Sequence, residues 1–427
     1  QMIEHVKQFV NIESPSNEPE MLQRSAEFLA KVMTEVLGKA PQIIASDKGP
    51  HVHWKGSDDT KVLIVGHHDT VFPKGTVAKR GFSIDGDVAR GPGIFDMKAG
   101  IIQAIYGLSE IREASGAEIL ITSDEEIGSY ASRELIEARA KATGNVLVFE
   151  PSGNGDALKI ARKGVGTFVV DIAGRASHAG LEPEKGINAL MELAAQVQAI
   201  AAIAQPEIGT TVTPTIATAG TTENVVPAAA QITVDVRVNV VSEKARVETA
   251  LGALQPTVAG ATISVSGSIN RPPMHESAAT ALYAVAQSVA TGIGITDLQG
   301  IAVGGGSDGN FTAAIGVPTL DGLGACGGGA HADRRVDIQD FMVIATGARS
   351  FAQAMEMTAE VYRHAGLLMK QRGSSQGIAD EGGWWPAFAH NEEALDVLVM
   401  SIEAAGFLPG QDVSIALDIA ASEFGHG

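Results

Sequence analysis

Residues 61–71 read KVLIVGHHDTV and residues 89–100 read ARGPGIFDMKAG. In the first stretch an apolar run, Val62 to Val65, ends in Gly66 and delivers His67, His68 and Asp69 together. Such a run predicts a buried strand, and the C-terminal ends of strands are where open α/β sheets place ligands. In the second stretch Asp96 leaves a Gly-Pro-Gly turn just ahead of Lys98 and Ala99, which open an apolar helical run. A strand, an acidic loop and a helix in that order form a mount for a metal ion on a sheet.

The alternation extends to both sides. Upstream, Asn17-Glu18-Pro19-Glu20 is expected to form a capping box for a helix carrying Met21, Phe28, Leu29, Val32 and Val36, which Gly38 stops. Strands are expected at 51–54, 62–65, 118–122 and 146–149, and helices at 98–113 and 129–139. This predicts an α/β fold, a sheet with helices packed on it. After Gly164 the order becomes β-α-β-β-α-β through TFVVDIAG, VTPTIATAG, QITVDVRVNV and ATISVSGSI, the ferredoxin-like arrangement of a small α+β domain. Beyond Arg271-Pro272-Pro273 the first style returns, with glycine-rich loops at 304–309 and 327–329. The expected organisation is a mixed-sheet α/β/α body at 1–164 and 271–350, an insertion at 165–270, and a tail at 351–427.

Composition narrows the function. With 427 residues, two or three domains are expected. A formal charge of −19 without a basic stripe argues against nucleic-acid binding. No apolar run is long enough for a membrane helix. The single cysteine, Cys326, fits a reducing compartment, so the cytoplasm is the expected location, although the chain begins at Gln1 and a periplasmic form remains open.

Five side chains follow predicted strands and suit a metal: His67, Asp96, Glu126, Glu150 and His331. Imidazole with carboxylate is a zinc set, or a cobalt or manganese set when looser. Five ligands exceed the need of one catalytic zinc and suit two ions if one carboxylate bridges. Asp69, two residues after His67, is placed to accept the other N–H of that imidazole. Glu125 and Glu126 point differently, so one can ligate metal while its neighbour moves a proton as general base. His68 is a second ligand-capable side chain at the same strand end.

The motifs HHDTV, GPGIFDMKAG, SDEEIGS, FEPS, ASHAG, NVVPA, DVR, GGGSD and GGGAHAD occur in that order between residues 67 and 333. Together they resemble the dizinc family of glutamate carboxypeptidases, aminoacylases, acetylornithine deacetylases and succinyl-diaminopimelate desuccinylases, with the glutamate carboxypeptidase branch nearest. The resemblance implies two zinc ions, one held by His67 and Glu150 and the other by Glu126 and His331, with Asp96 bridging. It implies Glu125 as general base, Asp69 as orienting carboxylate, and hydroxide on the metal pair as nucleophile. It makes the insertion a lid that mediates a homodimer, with His178 reaching the partner's site. Asn224 and Arg237 would grip a substrate carboxylate beside the loop ending in Ser307. The implied substrate is an N-acyl amino acid or dipeptide.

Two features depart from that pattern. After His331 the chain reads ADRRVDI, with Arg334 and Arg335 where the family often carries an acidic stretch. From about residue 350 the chain resembles an internal piece of enolase, which places Glu381 on a proton-donor carboxylate and Asp418 on a magnesium ligand. An eight-stranded barrel takes about 250 residues, so the piece is too short to close one and is expected to be non-catalytic. Two alternatives therefore stand beside the hydrolase: an enolase-type lyase dehydrating 2-phosphoglycerate, and a metal-dead member of the peptidase family.

Overall fold

The computed structural model describes residues 1–111, 114–327, 340–372, 375–378, 383–386, 388 and 391–418. They form two compact units, Gln1–Gly327 and Gly328–Gly427.

The first unit begins with helices α1 (Met2–Val10) and α2 (Pro19–Leu37). Pro19 opens α2 and Gly38 closes it in a left-handed conformation, but Glu18 is the capping residue and its side chain makes no capping hydrogen bond. The expected capping box is therefore absent: Asn17 itself lies at φ 68°, outside the extended backbone that a capping side chain needs.

Strands β1 (Gln42–Ile44), β2 (His51–Lys55) and β3 (Val62–His67) precede helix α3 (Ala99–Ser109). Strand β4 (Ala117–Thr122), helix α4 (Arg133–Thr143) and strand β5 (Val146–Val148) follow. Strand β3 is central, parallel to β4 on one side and to β5 on the other, while β2 and β1 extend the sheet antiparallel beyond β4. Leu63 and Val65 pack with Leu120, Ile136 and Val148 on one face, and Ile64 packs with Phe9, Leu29, Met97 and Ile101 on the other. Burial of both faces accounts for the unbroken apolar run, as for other central parallel strands.

Two glycines set the spacing of the site. A Cβ on Gly66, in β3, would lie 2.8 Å from the Met97 side chain. One on Gly100 in α3 would lie 2.2 Å from the Phe149 carbonyl oxygen. The loop carrying Asp96 can therefore close on the strand end that carries His67 and on the turn that carries Glu150.

Strand β6 (Leu158–Arg162) leads into a four-stranded antiparallel sheet of β7 (Gly164–Ala173), β8 (Thr211–Ala219), β9 (Ala229–Val238) and β10 (Thr262–Arg271), in spatial order β8-β9-β7-β10. Helices α5 (Ala189–Ala201) and α6 (Val241–Gly252) contribute Ala189, Leu193, Val247 and Leu251 to a core with Phe168, Val170, Ile232, Val234 and Val236. Alternation of buried and part-exposed residues along β9 follows from having one covered face.

The first unit closes with α7 (Thr280–Gly292), β11 (Gly300–Val303), α8 (Gly309–Ala314) and β12 (Thr319–Leu320). Strand β12 adds parallel to β5, completing a six-stranded mixed sheet, and β11 pairs parallel with β6.

In the second unit, strand β13 (Asp340–Ile344) pairs antiparallel with β16 (Ser414–Asp418), and β14 (Ser375–Ile378) with β15 (Trp384–Pro386). Thus residues 340–344, assigned by sequence to the body, form a ribbon with the end of the tail. Helices α9 (Phe351–Arg372) and α10 (Asn391–Ala404) bury Ala365, Met369, Ala394 and Val397 against Phe388, and Met357 and Val361 against Ile402 and Val413. The apolar stripe of α10 is covered within this unit, and Trp384 stacks on Tyr362 with ring centroids 5.1 Å apart.

Candidate active site

The end of β3 presents alternate side chains in opposite directions, and this separates the two adjacent histidines. His68 is fully buried, its ring bonded to the Ser25 hydroxyl and the Pro50 carbonyl at 2.9 Å each. Burial lowers its pKa to about 4. It is thereby committed to the fold and takes no part in the cluster that His67 forms.

His67 is equally buried, but its Nε2 faces carboxylates: Asp96 Oδ1 at 3.1 Å, Glu150 Oε1 at 3.4 Å and Glu125 Oε2 at 4.0 Å. Its Nδ1 lies 3.0 Å from the main-chain oxygen of Asp69 and 3.4 Å from Asp69 Oδ1. Donation from Nδ1 to Asp69 leaves Nε2 as the nitrogen available to a metal ion. Asp96 is supplied by the loop before α3, and its peptide bond to Met97 is cis.

Among the described residues, two groups bring one potential ligand atom each to within 4.8 Å: His67 with Glu125 and Glu150, and His67 with Asp96 and Glu126. Four of the five expected ligands are therefore together, with the expected base among them. His331, Arg334, Arg335 and Glu381 lie outside the described residues. Asp418 is the last residue of β16, opposite Asp340.

Electrostatics mark this cluster as a cation site. Burial raises the pKa of Glu126 to about 7, reinforced by Asp96, Asp69 and Glu150. Burial also raises Glu125 well above the usual carboxylate range, against the opposing pull of Arg271 and His67. For His67 burial acts to lower the pKa, yet its bonds to Asp69, Asp96 and Glu150 raise it well above the ordinary value. A buried imidazole among crowded carboxylates thus takes up protons when no stronger cation is present. A divalent metal fits this donor set.

Ser307, Arg237, Asn224 and His178 are placed differently from the cluster. Ser307 is fully buried and its hydroxyl donates to Asp321 at 2.6 Å. Arg237 on β9 pairs with Asp235 at 2.8 Å and reaches the Gly304 carbonyl at 3.4 Å. His178 and Asn224 are exposed on neighbouring segments joined by an Ala179 N–H to Asn224 carbonyl bond of 2.8 Å. None of these last three hydrogen-bonds to the cluster among the described residues.

Two arginines escaped the sequence reading. Arg271 lies 2.9 Å from Glu125 Oε1, and Arg162 lies 3.6 Å from Glu150 Oε2. Their buried, bidentate or forked geometry was hidden because an arginine at a strand end usually faces solvent. The only signal was Arg162 closing a largely apolar strand.

Residues 63–357 match the sequence profile of peptidase family M20/M25/M40, a span that includes every ligand named above. The chain belongs to that family. It is accordingly a metal-dependent peptidase or amidohydrolase of the M20 type. It is 32% identical over 354 residues to carboxypeptidase G2 of Pseudomonas sp. (strain RS-16), covering 78% of this chain and 83% of that one. Its fold is similar to the M20 family metallo-carboxypeptidase of Sulfolobus solfataricus, with a TM-score of 0.61 and 15% identity over 78% of this chain and 93% of the other. Residues 313–426 match the profile of the enolase C-terminal TIM barrel domain. A 99-residue segment is 57% identical to enolase 1 of Desulfitobacterium hafniense (strain Y51) but spans only 23% of that enzyme. Among the described residues no helix is long and apolar enough to cross a membrane.

Proposed function

We propose that this M20 hydrolase cleaves the amide or peptide bond of an N-acyl amino acid or dipeptide next to a free carboxylate, as a glutamate carboxypeptidase does. The observation that carries the reading is the His67 imidazole, with Asp96 and Glu150 on one ring nitrogen and Glu125 and Glu126 beside them. His67 and Glu150 would hold one zinc, Glu126 and His331 a second, and Asp96 both. Cobalt or manganese are the other ions suited to these donors. When bound, the metal pair polarises the scissile carbonyl and makes a water more acidic.

The remaining work belongs to the protein's own side chains. Glu125 takes the proton of the attacking water and passes it to the leaving nitrogen. Asp69 fixes the tautomer and direction of His67. Arg237 and Asn224 bind the substrate carboxylate, for which a guanidinium fork is the matching shape. The four-stranded sheet with its helices acts as a lid and joins two copies in a homodimer, in which His178 serves the partner's site. Exposed Leu181, Met191 and Ile216 on this part of the chain support that role. Similarity to the Pseudomonas carboxypeptidase supports a requirement for a free terminal carboxylate.

The test is a screen of N-acyl amino acids and dipeptides against their carboxyl-amidated counterparts. Hydrolysis of the free acids only, abolished by chelator, is the expected result. Equal turnover of the amidated compounds would contradict the carboxylate requirement.

A further inference from the structure

The two connections between the four-stranded sheet and the body each bring a buried arginine to a carboxylate of the cluster. Arg162 ends β6, just ahead of β7, and Arg271 ends β10. These connections are bonded to each other: the Arg162 and Met274 main chains exchange two N–H to carbonyl bonds of 3.0 Å. Arg162 forks onto Asp321 at 2.7 and 3.0 Å and donates to the Gly305 and Gly306 carbonyls at 3.1 Å each. Its contact with Glu150, at 3.6 Å, is the looser of the two.

Arg271 is held on every side. It donates to Asp308 Oδ1 at 2.9 Å, to the Ser129 hydroxyl at 2.9 Å and to the Glu125 main-chain carbonyl at 2.8 Å. Its guanidinium carbon lies 4.8 Å from the centre of the Phe311 ring. Asp308 is itself fixed by the Ser129 hydroxyl at 2.5 Å and the Thr122 hydroxyl at 3.2 Å. A planar fork with this many partners has one orientation. Against it rests Glu125, with Oε1 at 2.9 Å from Arg271 and Oε2 at 4.0 Å from His67 Nε2. Oε1 is thus ion-paired with the guanidinium, whose Nη2 hydrogens go to Ser129 and the Glu125 main chain, and Oε2 faces the cluster.

We propose that Arg271 is a positioning residue for proton transfer: by holding Glu125 Oε1 it presents Oε2 to the attacking water and then to the leaving nitrogen. The proposal rests on the reading of Glu125 as general base. The proton is taken and released at Oε2, while Oε1 stays on the guanidinium throughout.

The test is a double-mutant cycle on the metal-loaded chain with Arg271→Met, Arg271→Lys and Glu125→Gln, reading kcat, KM, metal content and the midpoint of thermal unfolding. Arg271→Met should lower kcat about 100-fold, as a displaced catalytic group does. KM should move less than about threefold, since the loss falls on the transition state. Metal content should equal that of the parent, and Arg271→Lys should recover part of the lost kcat. In a Glu125→Gln background Arg271→Met should lower kcat no further, and the two unfolding shifts should be non-additive because the residues are in contact. A kcat for Arg271→Met within about twofold of the parent would overturn the proposal, being too small for a misplaced base. Loss of metal, or additive unfolding shifts, would overturn it as well. Should Arg271→Met fail to fold, Arg271→Lys keeps the buried charge and decides: reduced kcat with unchanged KM supports the proposal, and unchanged kcat overturns it. Parent-like turnover in Glu125→Gln would instead remove the base assignment itself, whereas additive shifts strike Arg271 alone.

Discussion

The Asp69 carboxylate holds the main chain of Glu125, accepting its N–H on Oδ1 at 3.1 Å. The other oxygen accepts the Glu126 N–H at 3.1 Å and the Ser16 hydroxyl at 2.8 Å. One carboxylate just past the end of β3 thus lies 3.4 Å from His67 Nδ1 and holds the loop that carries both glutamates.

Asp69→Asn keeps one acceptor oxygen and must lose one of those main-chain bonds. The expected result is a metal affinity about 10–100-fold weaker, the usual cost of disturbing a residue behind the ligands. Competition with a chromophoric chelator measures it, and unchanged affinity would show that the loop holds itself.

Glu125→Gln should retain its metals while kcat falls by about 10²–10⁴-fold, the range for general acid–base catalysis. Glu126→Gln should instead lose metal. Metal analysis beside steady-state kinetics separates the two, and metal loss in Glu125→Gln with normal turnover per bound ion would exchange the roles.

Metal uptake should depend on pH. Without metal, burial lowers the pKa of His67 but its bonds to Asp69, Asp96 and Glu150 raise it well above the ordinary value, and burial raises Glu126 to about 7. Both groups must be deprotonated to ligate, so binding at neutral pH releases protons and tightens as pH rises. Calorimetry in buffers of different ionisation enthalpy reads the release. A buffer-independent heat would contradict it.

Much of this site was legible because its chemistry is local. Val62 to Val65 announces a central strand, and carboxylates after strands announce the groups that gather round His67. The preference for His67 over His68 came from the motif order, because alternation along a strand separates two faces without naming the one that looks into the cluster. Arg271 was hidden for a different reason: its partners Glu125, Ser129 and Asp308 are distant in sequence and meet only when β10 closes on the loop after β4. The same holds for Arg162 and Asp321. Asn17 failed as a cap because a left-handed backbone defeated a matching residue pattern.

His178→Ala and Glu125→Ala chains, each impaired alone, should regain part of the activity when mixed and re-paired. A mixed dimer would contain one intact composite site. Mixed dimers that form but stay inactive would refute a shared site.

The tail should contribute no enolase chemistry. It matches only a fraction of that enzyme's length, and its described strands form two-stranded ribbons rather than a barrel wall. Glu381→Gln should leave amide hydrolysis unchanged, and 2-phosphoglycerate should not be dehydrated. Dehydration lost in Glu381→Gln would contradict this.

Metal stoichiometry beside turnover tests the two-metal site itself. Purified chain, stripped with chelator and titrated with zinc against a free-acid N-acyl amino acid, should recover hydrolysis in step with uptake and reach its maximum at two ions per chain, as a two-metal hydrolytic site requires. Full activity with a single bound ion, or with none, would contradict it.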